Sequence, residues 1–250
     1  MSSILSFLKP SWLKFIFLIE LPIYLLIELF IQGQPALAQS YVLLIPLGFY
    51  YLVACILIYL HEDRIRLESI RIGVGIALLL IIIDQSLKMI ILNKLNVGEA
   101  LPLIPGILYL THAQNIYGSW LVQTFNLDFI GHGLLIALVV ISLLFTISVY
   151  RYYSHTGRSS LLADMAFVFF LAAFISAFTD IAWRGLVVDF IQLPGYVIAD
   201  FKDIYLWFGA ACLVAELFDN PNRYWKMSII EYIRAIGRVI RFQFQSKINH

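Results

Sequence analysis

The sequence predicts an all-α polytopic membrane protein with about six transmembrane helices. Three observations predict it: an apolar composition, six apolar stretches of spanning length, and basic residues gathered on one side of them. Hydrophobic residues make up 61% of the 250, charged residues 13%, and mean hydropathy is +0.87. A soluble domain averages about 45–50% apolar and about 25% charged. No water-exposed surface can be built from this pool, so the bilayer must act as solvent. The formal net charge of +1 points to no nucleic-acid partner. Cys55 and Cys212 lie inside apolar runs and read as small buried hydrophobes, not as a disulfide or metal framework.

A spanning helix needs about 20 mostly apolar residues. The stretches that qualify lie near 12–31, 41–60, 72–92, 130–150, 162–181 and 203–219. Each must be helical, because lipid offers backbone polar groups no other partner, and an open sheet at membrane depth is excluded for the same reason. The first run is flanked by lysine but is too long for a secretory apolar segment, although Ala36-Leu37-Ala38 supplies a small-x-small site after it.

The positive-inside rule orients the spans. With Lys9 and Lys14 in the cytoplasm, Arg64, Arg66 and Arg71 of the 61–71 turn fall on the same side, as do Arg151 and Arg158. The tail adds Arg223, Lys226, Arg234, Arg238, Arg241 and Lys247. Thirteen of the 17 basic residues are then inside, leaving Lys88, Lys94, Arg184 and Lys202 at or beyond the outer side. This bias fits an even number of spans in the inner membrane, with both termini cytoplasmic. Residues 220–250 read as a basic amphipathic tail, lying on the anionic leaflet or docked on the protein's own cytoplasmic end. The loop near 93–129, rich in apolar and aromatic residues, reads as a small folded element on the outer face.

Ionisable residues in membrane segments are costly unless they face an interior or a wet cavity. Asp84, Asp180, Asp189, Asp200 and Asp203 all fall at the outer ends of spans or in the 181–202 connection. Two carboxylates brought together there can share a proton, one acting as base toward water and the other as acid toward a scissile carbonyl. That arrangement hydrolyses peptide bonds with neither metal nor other cofactor. On the residues alone, acids that merely mark helix ends remain an equal alternative. Glu20 and Glu28, eight apart in the first span, read as packing partners, and Glu216 and Asp219 as acids that snorkel to water at the inner end. His112 and His132 have no partner at ligand or triad spacing, and no G-x-S-x-G, H-E-x-x-H or P-loop pattern occurs.

The order of short motifs is more specific. Asp84-Gln85-Ser86-Leu87-Lys88 reads as D-Q-x-x-K, and residues 101–115 lead into Asn115-Ile116-Tyr117-Gly118-Ser119-Trp120. Asp180 then precedes Gly185-Leu186-Val187-Val188-Asp189-Phe190-Ile191. In this order, over residues 72–219, the chain resembles bacterial lipoprotein signal peptidase, signal peptidase II. That family carries D-Q-x-x-K, N-T-G-A-A-F and G-x-V-V-D-F-I, the last being the closest match. The resemblance places the first catalytic aspartate on Asp189. The second belongs to F-N-x-A-D-S-x-I-x-x-G. Setting it at Asp203, not Asp200, keeps the six-residue interval to Gly209 and puts Asp200 where the family has asparagine. The family's G-N-x-x-D-R reads Ser176-Ala177-Phe178-Thr179-Asp180-Ile181. Ala177 and Ile181 thus replace polar helpers, and Arg184 is three residues further on, where a continuing helix would bring it to the same face.

The resemblance implies a four-helix core at 72–219, two additional N-terminal helices and a cytoplasmic turn at 1–71, and the tail at 220–250. It implies an aspartic endopeptidase with its site at the outer leaflet, acting on lipid-modified prolipoproteins before a diacylglyceryl cysteine. Asp84, Lys88 and Asn115 would support substrate or water placement. Asp180 would orient the central pair, with Asp200 and Arg184 beside it. Membrane lipids are the expected surroundings, and the oligomeric state is left open. Two other functions compete: a non-catalytic homologue that binds lipidated signal peptides, suggested by Ala177 and Ile181, and a small proton-coupled transporter using Glu20, Glu28 and the aspartates.

Overall fold

The computed structural model describes residues 7–19, 22–23, 26, 41–63, 67, 69–116, 131–155, 160–220, 234, 237–239 and 241. The elements in chain order are α1 (Trp12–Ile16), α2 (Leu44–Glu62), α3 (Ile70–Lys94), β1 (Ala100–Ile104), β2 (Leu108–Asn115), α4 (His132–His155) and α5 (Leu161–Thr179). A π-helical turn (Asp180–Arg184), β3 (Val187–Leu193), β4 (Val197–Ala199) and α6 (Phe201–Asp219) complete the set. Four helical stretches among the described residues are long and apolar enough to cross a membrane: Tyr41–Glu62, Ile70–Lys94, His132–His155 and Leu161–Arg184. At 1.5 Å per residue, the 25 residues of α3 reach about 37 Å. The chain is therefore a mostly helical, polytopic membrane protein. Of the predicted first span, residues 20–21, 24–25 and 27–31 lie outside the described residues, Glu20 and Glu28 among them, as does most of the tail. The predicted sixth corresponds to α6, which carries Lys202 and Asp203 at one end and Glu216 and Asp219 at the other.

Burial separates central from peripheral helices. In α5, 61% of the apolar stretch is buried inside the protein, against 11% in α4. The centre is thus α5, and α4 offers most of its apolar surface to its surroundings, as a lipid-facing helix does. Ser160 starts α5 by accepting the Ala163 N–H at 3.2 Å, and Asp164 occupies its first turn. Gly209 lets α6 approach α5: a Cβ there would stand 2.8 Å from the Phe170 ring. Gly209→Leu is expected to destabilise the fold by about 1–3 kcal/mol, the usual cost of overpacking, read as a lower melting temperature in detergent. On its other side α6 meets α2, where Phe49 and Tyr50 pack on Phe208 with ring centroids 5.9 and 5.2 Å away. Trp207 Nε1 donates to the Phe17 carbonyl at 3.2 Å.

The all-α expectation needs correction. Residues 100–115 of the 93–129 loop and 187–199 of the 181–202 connection, read separately from the sequence, fold together as one antiparallel four-stranded sheet in the order β1-β2-β3-β4. The physical reason is pairing at a distance. Val187–Leu193 is a short run of apolar and β-branched residues whose backbone groups need a partner, and β2 supplies it from more than 70 residues away, with Ala113 opposite Asp189 and Asn115 opposite Val187. The sheet joins the C-terminal end of α3, the end of the π turn and the start of α6. It therefore lies at one end of the helices, not among them. Alternation along β3 packs Val188 and Phe190 with Ile91 of α3, and Val187 with Leu135 of α4.

At the opposite end, Glu216 does not snorkel. It is buried and accepts from Tyr153 Oη at 2.7 Å, from the Ser160 hydroxyl and from Asn220 Nδ2 at 3.2 Å. Asp219 instead meets His61 at 3.1 Å. Both cysteines are buried free thiols.

Candidate active site

Three segments deliver acids to the sheet end of the bundle. Asp84 and Lys88 are one turn apart on α3, so both project to the same side. Asp180 and Arg184 come from the π turn, which widens the last turn of α5 and is closed by Gly185 at φ +69°, a left-handed conformation that favours glycine. Asp189 is carried by β3. Asp200, Lys202 and Asp203 lie where the chain enters α6.

A capping box fixes the last group. Asp200, at the N-cap, accepts the Asp203 N–H at 3.2 Å, and the Asp203 carboxylate accepts the Asp200 N–H at 3.4 Å. The two aspartates that compete for one motif position thus hold each other in place.

Two lysine ammonium groups organise the cluster. Lys88 Nζ lies 2.9 Å from Asp84, 2.5 Å from Asp180 and 2.6 Å from Asp200, and all four side chains are fully buried. Lys202 Nζ lies 2.7 Å from Asp200, 3.4 Å from Asp203 and 3.7 Å from Asp189. Asp200 therefore bridges the two lysines. Arg184 Nη1 donates to Asp180 at 2.6 Å and to Gln85 Oε1 at 2.7 Å, and Gln85 Nε2 donates to Asp84 at 3.0 Å. One carboxylate oxygen from each of Asp84, Asp180 and Asp200 lies within 4.8 Å of the others, and the same holds for Asp189, Asp200 and Asp203. Either trio has the donor chemistry for a divalent cation. In each, a lysine ammonium contacts all three carboxylates.

Exposure distinguishes the three acids around Lys202. The Asp203 side chain is 49% exposed, that of Asp189 10% and that of Asp200 0%. Burial pushes the Asp189 carboxyl up to about 7, with Asp200 and Asp203 adding to the rise, while Lys202 and the Asn115 hydrogen bond oppose it. Burial acts on Asp200 in the same sense, but Lys202 and Lys88 outweigh it and hold that carboxyl below the usual range. Asn115 Nδ2 donates to Asp189 Oδ2 at 3.3 Å, across the β2–β3 pair. Asp189 Oδ1 is buried and accepts no hydrogen bond among the described residues. A groove of about 650 Å³ borders the cluster, lined by Gln85, Met89, Leu92, Trp183, Arg184 and Leu186 among others.

All five acids singled out in the sequence meet in this network. Arg184 binds Asp180 directly. Asp180 differs from expectation: it bonds Lys88, Arg184 and Gln85, so its link to Asp189 and Asp203 runs through Lys88 and Asp200.

The family described as signal peptidase (SPase) II matches residues 76–219. The chain belongs to the signal peptidase II family. Curated relatives agree. The lipoprotein signal peptidase of Fusobacterium nucleatum subsp. nucleatum is 26% identical over 164 residues, covering 62% of this chain and 95% of the relative. That of Brevibacillus brevis is 30% identical over 146 residues, covering 57% of this chain and 92% of the relative. That of Staphylococcus haemolyticus is 27% identical over 157 residues, 61% and 94%. A bacterial membrane enzyme solved by the in meso method at 2.3 Å resolution shares the fold, with a TM-score of 0.52 at 20% identity over 66% of this chain and 98% of that one.

Against the signal peptidase II motif F-N-x-A-D, with Asp203 as its aspartate, Lys202 stands at the alanine. Sequence reading passed over this lysine and counted it only as an outer charge. The available signal was its position, a cation directly before an aspartate that itself begins an apolar helix.

Proposed function

We propose that the chain is an intramembrane aspartic endopeptidase that cleaves signal peptides from lipid-modified prolipoproteins, with Asp189 and Asp203 as the catalytic pair. The observation that carries this reading is the approach of the two carboxylates to within 4.8 Å, one buried and one open, in a member of the signal peptidase II family. Asp200 is a poor candidate for the second acid, because it is fully buried between two lysines and committed to the α6 cap.

Exposure assigns the acid and the base: the Asp189 side chain is 10% exposed and that of Asp203 49%. Asp189 holds the proton near neutral pH, and Asp203 faces water as the base. Asp203 takes a proton from water as the hydroxyl adds to the scissile carbonyl carbon, and Asp189 gives its proton to the carbonyl oxygen. The resulting gem-diol returns one hydroxyl proton to Asp189 while Asp203 protonates the leaving nitrogen, and the C–N bond breaks. The products are a carboxylic acid and the free amine of the cysteine. Asn115 steadies Asp189, Lys88 and Asp84 hold Asp200, and Asp180 with Arg184 closes the buried end. The apolar walls of the adjoining groove suit acyl or side-chain surface of the substrate.

Purified protein in lipid nanodiscs, given a lipobox peptide bearing a diacylglyceryl cysteine, is expected to cut before that cysteine. Mass spectrometry identifies the product. Asp189→Asn is expected to show no product, and full cleavage by that variant removes the pair. Because Asp189 titrates near 7, kcat/KM is expected to fall as pH rises through 7 and the proton-bearing carboxyl is lost.

The same reading extends to architecture. Residues 1–71 form two added helices, 72–219 the core and 220–250 a basic tail, giving six spans with both termini cytoplasmic and the site at the outer leaflet of the inner membrane. The family match, which begins at 76 and ends at 219, and the one-sided distribution of basic residues support this. A second reading, a non-catalytic binder of lipidated signal peptides, draws on Lys202 lying among the acids. Binding of the peptide without any cleavage would select it.

A further inference from the structure

Lys202 is the one charged group at the centre of the cluster to which the hydrolytic scheme gives no part. Its ammonium is anchored to Asp200 at 2.7 Å, and Asp200 is itself held from behind by Lys88 at 2.6 Å and by the α6 cap. So anchored, the nitrogen leans toward Asp203 at 3.4 Å and Asp189 at 3.7 Å, close to both but beyond ordinary hydrogen-bond length from Asp189. The charged groups facing it are Asp189 from β3, Asp200 and Asp203 from the start of α6, and Lys88 from α3, with Asp84 and Asp180 beyond Lys88. Its side chain is 10% exposed, so water screens these interactions weakly.

We propose that Lys202 is a positioning residue of the reaction centre: a fixed cation that sets the proton occupancy of the Asp189–Asp203 pair. This rests on that pair being the catalytic one. Two neighbouring carboxyls in a site poor in water tend to keep protons, and a cation beside both favours their charged forms. Lys202 thereby pulls down the pH at which the pair passes from one proton to none.

The test is the pH profile of kcat/KM on the diacylglyceryl peptide for wild type, Lys202→Met and Lys202→Arg, with melting temperatures measured alongside. Removing the cation is expected to move the alkaline limb up by about 1–3 pH units, the range for an opposite charge at this separation. Lys202→Arg, which keeps the charge, is expected to hold the limb near its wild-type position. A Lys202→Met profile that is scaled down but unshifted overturns the proposal and makes Lys202 a packing residue. Should Lys202→Met lose its fold, the comparison moves to the Asp200→Asn background. There the fully buried Asp200 carboxylate is no longer stranded by loss of Lys202, and asparagine still caps α6. Asp200→Asn/Lys202→Met is expected to show the same upward shift relative to Asp200→Asn, and coincident limbs overturn the proposal. Cleavage by Asp189→Asn is a separate result: it removes the catalytic pair itself, whatever the limbs do.

Discussion

Lys88→Met is expected to deprive the protein of its fold, with a loss on the order of 3–5 kcal/mol or more. One ammonium, fully buried, serves Asp84, Asp180 and Asp200 together. Removing one partner of a buried ion pair costs about 3–5 kcal/mol because the remaining charge is left without compensation. Here three carboxylates lose a shared partner, and Asp84 Oδ1 already accepts no hydrogen bond among the described residues. Methionine matches the length and apolar stem of lysine, so packing contributes little to the loss. The measurement is the yield of folded protein and its melting temperature in detergent. Adding Asp84→Asn to Lys88→Met removes one stranded charge and is expected to recover part of the loss. Wild-type stability in the single variant would show that the lysine does not hold the acids together.

Asp203→Asn is expected to lower kcat/KM by about 10⁴-fold or more, the scale seen when a member of a catalytic unit is removed. Asp200→Asn, three residues away, is expected to keep measurable cleavage. The difference follows from what each oxygen does. Asp203 presents an open carboxylate within 4.8 Å of Asp189. Asparagine there cannot take a proton from water. Asp200 is buried and acts on Lys88, Lys202 and the helix cap, and asparagine retains the cap and can still accept from one lysine. Single-turnover cleavage of the diacylglyceryl peptide separates the two variants. Cleavage kept by Asp203→Asn and lost in Asp200→Asn would reverse the order of Asp200 and Asp203, and equal rates would remove the distinction.

Much of this was legible in the chain. Composition and run length gave a helical membrane protein, since a charged content of 13% leaves no other solvent. Motif order pointed to signal peptidase II and to Asp189. The D-x-x-D spacing of Asp200 and Asp203 before an apolar run is itself a cap signature, and it accounts for two aspartates beside one motif position. The sheet was not legible, because β2 and β3 are short and their pairing is non-local, and alternation in so apolar a chain carries little contrast. The approach of Arg184 to Asp180 was legible as the reach of a continuing helix. Four residues apart, they meet directly on the π turn, while Ile181, at the position where the family has arginine, is buried among Leu135 and Val187. The role of Glu216 was misjudged for a similar reason: spacing marks a helix end but cannot show that Tyr153 and Ser160 close over it.

The same ion pairs bear on how the chain enters the bilayer. Insertion of a single charged side chain at mid-membrane costs about 2.5–3.5 kcal/mol on translocon scales. Asp84 travels with Lys88 on one helix, Asp180 with Arg184 on another, and Asp200 with Lys202 at the head of a third, at 2.9, 2.6 and 2.7 Å. Each of these three acids can therefore enter the bilayer beside a cation of its own segment before its neighbours have been synthesised. Assembly then lets Lys88 reach Asp180, 92 positions later in the chain, and Asp200 beyond it. The counter-ions are delivered in cis and shared afterwards. Asp189 and Asp203 are left to share Lys202 with Asp200.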